Sequence, residues 1–163
     1  MTFIIFISFF VLIRLAELIY AKKNEQWLLQ NGAIEYGAEH YPFIVILHSL
    51  FIVSLLLEYY WKGEDIFNPI VLFVYIFCIL IKGWVIFSLG KYWNTKIFRI
   101  PHALLIRKGP YKFIKHPNYI IVIAEIAVIP LIFNLYYTAI IFSILNAIIL
   151  SIRISVENKA LGE

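Results

Sequence analysis

Thirteen consecutive residues, Arg107-Lys108-Gly109-Pro110-Tyr111-Lys112-Phe113-Ile114-Lys115-His116-Pro117-Asn118-Tyr119, form the one dense group of residues able to do chemistry in this chain. They combine two tyrosines, a histidine and an asparagine with Gly/Pro punctuation that stiffens the backbone. Gly109-Pro110 marks a turn. Pro117 restricts His116 to an extended backbone and suits the first turn of a helix. His116 is thereby held at a helix mouth, with Tyr119 one short step inside. Farther along, Arg153 and Glu157 stand at i,i+4 and share one helix face. One reading makes them a surface ion pair worth about 0–1 kcal/mol. In the other, joined to His116 and the tyrosines, they offer a carboxylate to a cationic ligand and a guanidinium to an anionic one.

The elements that must position these residues are those of a membrane protein. The 163 residues are 63% hydrophobic and 15% charged, with a mean hydropathy of +0.87. A soluble domain uses about 45–50% apolar residues, so the expected class is all-α, an integral membrane helical bundle. The single cysteine, Cys78, lies in an apolar run; it excludes a disulfide framework and is expected to be buried and inert. The net charge of +4 reads as membrane orientation, not as a nucleic-acid surface. The histidines at 40, 48, 102 and 116 lack metal-ligand spacing, so no metal site is expected. His48 reads as a satisfied interior histidine. Dinucleotide, P-loop, HExxH and GxSxG signatures are absent.

Five spans are expected. The first, Thr2–Ala21, carries Arg14 and Glu17 and lacks the features of a removable signal peptide. Residues 22–40 are polar, with Trp27, Leu28 and Leu29 suggesting a piece lying at the interface. The second span, 41–60, ends in an aromatic belt, followed by an acidic loop with Glu58, Glu64 and Asp65 against Lys62. The third begins at Asn68-Pro69 and runs to about Leu89. Residues 90–115 form a basic loop without one acidic residue. The 35 residues from Asn118 to Ile152 would make a helix of about 52 Å, too long for a bilayer core of about 30 Å. Pro130 and Asn134 divide them into two short helices, 118–133 and 135–152. One membrane domain results: a three-helix anchor, 1–89, and a part carrying the site, 90–163.

Five spans put residues 22–40, the basic loop and the C-terminus on one face. The excess of Lys and Arg makes that face cytoplasmic. Charges inside spans are costly and point to function when they face the interior. Arg14, Glu17, Lys82 and Glu125 all lie toward that face. A structural reading pairs Arg14 with Glu17 and lets Lys82 snorkel to the headgroups. Glu125 snorkels poorly; it either has a structural partner or faces the site as a substrate-binding residue.

The run 108–119, an apolar hairpin, and then Arg153-Ile154-Ser155-Val156-Glu157 with Leu161 resembles the isoprenylcysteine carboxyl methyltransferase family. The family pattern is Gly-x-Tyr-x-x-x-(Arg/Lys)-His-Pro-x-Tyr, two helices, and Arg-x-x-x-Glu. Lys91-Tyr92-Trp93-Asn94-Thr95 is similar to a small bacterial branch linked to O-methylation of lipophilic polyketide pyrones. The resemblance implies an S-adenosylmethionine-dependent methyltransferase without a Rossmann domain, in the bacterial cell membrane. Its cofactor would lie under the loop, and its lipophilic small-molecule acceptor would come from the bilayer. By motif, the cofactor residues would be Ala103, Leu104, Leu105, Ile106, Tyr111, His116, Pro117, Asn118, Tyr119 and Glu157. Arg153 would face the acceptor, and Arg153, Glu157 and His116 would form the catalytic group. Many members have Glu-Glu where this chain has Glu157-Asn158, and a longer C-terminal tail than one ending at Glu163; both differences bear on the acceptor. An NADPH-dependent membrane reductase and a non-catalytic scaffold are the alternatives. Membrane lipids are the expected surroundings, and no residue pattern indicates an oligomeric state.

Overall fold

The computed structural model describes residues 1–63 and 66–162. Its helices are α1 (Thr2–Gln30), α2 (Tyr41–Lys62), α3 (Pro69–Leu89), α4 (Pro117–Leu131) and α5 (Tyr136–Leu161). Two short strands, β1 (Ile34–Tyr36) and β2 (Ile97–Arg99), pair antiparallel, Ile34 opposite Arg99 and Tyr36 opposite Ile97. Four of the helices, α1, α2, α3 and α5, are long and apolar enough to cross a membrane. The 15 residues of α4 reach about 22 Å, short of a full bilayer core.

The first expected boundary moves. Residues 22–30 are not a separate interfacial piece but the last turns of α1. They contain no Gly or Pro and are rich in Lys, Glu, Gln and Leu, all good helix formers. The helix stops only where Gly32 takes φ +77°.

The hairpin forms where Pro130 and Asn134 allow it. Pro130 stays inside the last turn of α4, and its carbonyl accepts from Phe133 N at 3.1 Å and Leu135 N at 2.9 Å. Asn134 turns the chain at φ +55°, a conformation asparagine tolerates better than most residues. The second arm is longer than expected: α5 continues from Tyr136 to Leu161 rather than ending at Ile152. Glu58 is not part of an acidic loop. It is buried, and its carboxylate accepts from Tyr137 N (3.1 Å) and Thr138 N (2.7 Å) at the α5 N-terminus, where unpaired N–H groups favour negative charge. Lys62 Nζ donates to Asn134 O at 2.7 Å, closing the turn. Glu64 and Asp65 lie outside the described residues. Asn68 caps α3 as its position before Pro69 suggests, accepting from Ile70 N and Val71 N.

At this hairpin end the core is aromatic. Phe3 stacks on Tyr59 (centroids 3.8 Å apart) and meets Phe133 edge-on at 5.0 Å. Because lipid is as apolar as these side chains, close packing and polar pairing must hold the helices together. Polar pairing is supplied midway along the bundle. Lys82 Nζ on α3 lies 2.6 Å from Glu17 Oε1 on α1 and 2.9 Å from Glu125 Oε2 on α4. Arg14 Nη1 is 2.8 Å from Glu17 and 3.9 Å from Glu125. The Arg14–Glu17 pair is as expected, but Lys82 does not snorkel: it is 4% exposed, and its ammonium is held by the carboxylates of Glu17 and Glu125. His48 is a satisfied histidine, Nδ1 against Ile44 O at 2.9 Å, and Cys78 is buried.

Candidate active site

The other end of the bundle gathers the α1 C-terminus, β1–β2, the 90–116 loop, the α4 N-terminus and the end of α5. Asn24 of α1 anchors the loop, donating to Trp93 O (2.7 Å) and Gly90 O (3.1 Å). Asn94 returns a bond to Ala21 O at 2.8 Å. Lys96 reaches Glu25 (2.7 Å) and Glu35 (3.5 Å). Burial opposes its charge, but the bonds to the two carboxylates outweigh it and hold the ammonium pKa above its ordinary value. The anchor part of the chain therefore also builds the site end.

The second half of the loop is pressed against α3. Gly109 takes φ +53°, and a Cβ there would run into Ser88 Oγ and come within 3.1 Å of Trp84 Nε1. The short turn Gly109–Lys112 then leads to His116, which precedes the first residue of α4, Pro117.

Here the motif residues meet. The His116 ring stacks on Tyr119, centroids 5.5 Å apart. His116 Nε2 lies 3.0 Å from Asn158 Oδ1, while Nδ1 faces Glu157 Oε2 at 3.5 Å. The Tyr119 hydroxyl donates to Glu157 Oε2. Arg153 does not form the simple surface pair with Glu157 that its spacing allows. Its Nη2 donates to Thr95 O at 2.8 Å, and its guanidinium lies 5.7 Å from the Tyr119 ring centroid. Burial, with the Glu157 carboxylate adding to it, pushes the Tyr111 hydroxyl above its ordinary range, so Tyr111 presents a neutral ring.

These groups surround a cavity of about 400 Å³, within the roughly 300–1,000 Å³ of small-molecule sites. Leu104, Leu105, Ile106, Tyr111, His116, Asn118, Tyr119, Arg153 and Glu157 line it. Two other expected residues stand behind the wall. Ala103 accepts from Arg99 Nη2 at 2.6 Å, folding the loop, and Pro117 is buried as the helix start. Glu125 is not brought to the cavity. Its carboxylate accepts from Lys82 Nζ at 3.0 and 2.9 Å, the structural partner that is the alternative to a substrate-binding place.

Sequence reasoning missed part of the wall: Leu89, Tyr92, Trp93, Asn94, Lys96, Phe98 and Arg99 also line the cavity. The dense aromatic and basic content of 91–99 was the available signal. Among the described residues, the lining carries Lys96, Arg99, Arg107, Lys112, Lys115 and Arg153 against the single carboxylate of Glu157. Among the described residues, the buried side-chain polar atoms without a hydrogen bond are Tyr75 Oη, Trp93 Nε1, His116 Nδ1 and Arg153 Nε. The last three belong to the cavity wall. Unsatisfied buried groups are rare in folded proteins, and three around one cavity mark a place where a ligand would complete the bonding.

Residues 70–163 match the model of the isoprenylcysteine carboxyl methyltransferase (ICMT) family. The uncharacterized protein YpbQ of Bacillus subtilis (strain 168) is 44% identical, over 99% of this chain and 97% of its own length. An uncharacterized protein of Haemophilus influenzae is 31% identical, over 92% of this chain and 89% of its own. No solved structure matches the chain at a significant level. The matched residues run from the start of α3 to the chain end and include the cavity wall from Leu89 to Leu161. By that match, this membrane protein belongs to the isoprenylcysteine carboxyl methyltransferase family.

Proposed function

We propose that the protein is an S-adenosylmethionine-dependent methyltransferase that methylates an oxygen of a lipophilic acceptor drawn from the bilayer, at a site facing the cytoplasm. The observation that carries this reading is the meeting of His116 and Tyr119 with Arg153 and Glu157 around one cavity with unsatisfied polar atoms. The basic residues at this end support the cytoplasmic assignment, through the excess of Lys and Arg on that side of membrane proteins.

The donor set suits the cofactor. Glu157 and the faces of Tyr111 and Tyr119 favour a cation, and the surrounding arginines and lysines favour its carboxylate end. When bound, S-adenosylmethionine supplies an electrophilic methyl group on a sulfonium centre. The protein's part is to hold an acceptor oxygen in line, and such positioning is worth up to about 7–11 kcal/mol. Arg153 is suited to an acceptor oxygen through its free Nε. Leu89, Phe113, Ile114 and Leu161 give the apolar lining that a lipophilic body needs. A carboxylate acceptor releases no proton. A hydroxyl acceptor needs a base, and the unbonded His116 Nδ1 is the atom available.

The basic lining is also what a reductase would need for the 2′-phosphate of NADPH, so that reading is tested alongside. Equilibrium binding of S-adenosylhomocysteine and of NADPH to the purified protein separates them. Binding of the former without competition from NADPH is expected; binding of NADPH alone would overturn the methyltransferase.

A further inference from the structure

We propose that residues 104–113 form a docking surface for anionic phospholipid of the leaflet in which the protein sits. Leu104, Leu105, Arg107, Lys112 and Phe113 also contribute to the cavity wall, so this surface is the outer side of the same loop, but it does not depend on the reaction proposed above. Leu104 is 92% exposed and Phe113 77%, with Leu105 exposed as well. Exposed Arg107, Lys108 and Lys112 stand among them. Apolar tips interleaved with cations match a headgroup layer, where acyl chains lie just beneath negative phosphates.

Two observations select lipid as the occupant. The first is depth. The turn at Gly109 packs on the flank of α3 against Ser88 and Trp84, and Trp84 lies five residues before the helix end at Leu89. At 1.5 Å per residue that is about 7–8 Å below the end of α3. The neighbouring face of α3 exposes Trp84 (55%) and Phe87 (82%), the outward apolar surface of a span with tryptophan near its end. The segment is therefore level with the membrane boundary rather than above it in water. The second is charge. No acidic residue occurs from Gly90 through Lys115, so no carboxylate of the loop itself competes with lipid phosphate.

The test uses the full chain in lipid nanodiscs, as Leu104→Cys in a Cys78→Ala background carrying an environment-sensitive fluorophore. Discs contain phosphatidylcholine alone or with phosphatidylglycerol. With phosphatidylglycerol the emission should shift to the blue and be quenched by brominated acyl chains. High salt, or the combined Arg107→Gln, Lys108→Gln and Lys112→Gln substitutions, should reverse the shift. Inorganic phosphate added to phosphatidylcholine discs should not reproduce it. Water-like emission in both lipids would overturn the proposal. So would equal shielding in both lipids and in detergent, which would mean that protein, this chain or a second copy, covers the segment. A shift driven equally by inorganic phosphate would assign the cations to a soluble anion instead.

Discussion

Asn158 Oδ1 lies 3.0 Å from His116 Nε2 and joins the end of α5 to the mouth of α4. An amide oxygen only accepts, so in this arrangement Nε2 donates, and in the neutral ring Nδ1 is left as the lone-pair nitrogen, 3.5 Å from Glu157 Oε2. Asn158 is thus the residue that orients the histidine. Removing it with Asn158→Leu should free the ring. At about 0.5–1.5 kcal/mol for the lost bond, affinity for S-adenosylhomocysteine should fall roughly 2–10-fold, with thermal stability little changed. Wild-type affinity, measured by calorimetry, would remove Asn158 from the site.

Arg153 should show a different pattern. Its bond to Thr95 O fixes the guanidinium and leaves Nε unbonded. Arg153→Ala should raise the acceptor KM by about 10–100-fold, the size of a lost hydrogen bond to a charged group. Cofactor affinity should change little. An unchanged rate at limiting acceptor would contradict the assignment.

The charge cluster in the bundle is a stability matter. Lys82→Met leaves Glu17 and Glu125 with Arg14 as the cation of the cluster. Breaking a buried pair from one side costs about 3–5 kcal/mol, so the melting temperature should drop clearly. Adding Glu17→Gln restores charge balance and should recover part of the loss, a coupling visible in a double-mutant cycle. Additive losses would mean that the two residues do not share one network.

Gly109 should be intolerant of a side chain. Its positive φ costs a non-glycine residue about 1–2 kcal/mol, and the new Cβ would collide with Ser88. Gly109→Ala should speed proteolysis within 100–115 and weaken ligand binding while helix content is kept. Protection equal to wild type would show that the turn relaxes without disturbing the cavity.

Hydropathy made the helices legible, and length made the hairpin so: 35 apolar residues cannot be one span, and Pro130 and Asn134 offered the break. The end of α1 was hidden because residues 22–30 are polar and carry no membrane signal, though they are sound helix formers. Strands of three residues, β1 and β2, are too short for a periodic pattern. Partner choice was the least legible property. Spacing along one helix suggested Arg14 with Glu17, but nothing local indicates Lys82 with Glu125, 43 positions apart, or Asn24 with the Trp93 carbonyl. The approach of His116 and Tyr119 to Glu157 was readable only because the hairpin returns α5 to the loop.

The central claim is that this cavity receives a sulfonium cofactor beside Glu157, the single acidic side chain in its wall among the described residues. The direct measurement is the affinity of wild type and Glu157→Gln for S-adenosylmethionine and for its neutral-sulfur product, S-adenosylhomocysteine. The account predicts that both bind the wild type. It further predicts that Glu157→Gln weakens the cationic ligand by about 10-fold or more, as expected for a lost interaction with a charged group, and the product distinctly less. Absence of binding to the folded wild type, or equal losses for the two ligands, would contradict it.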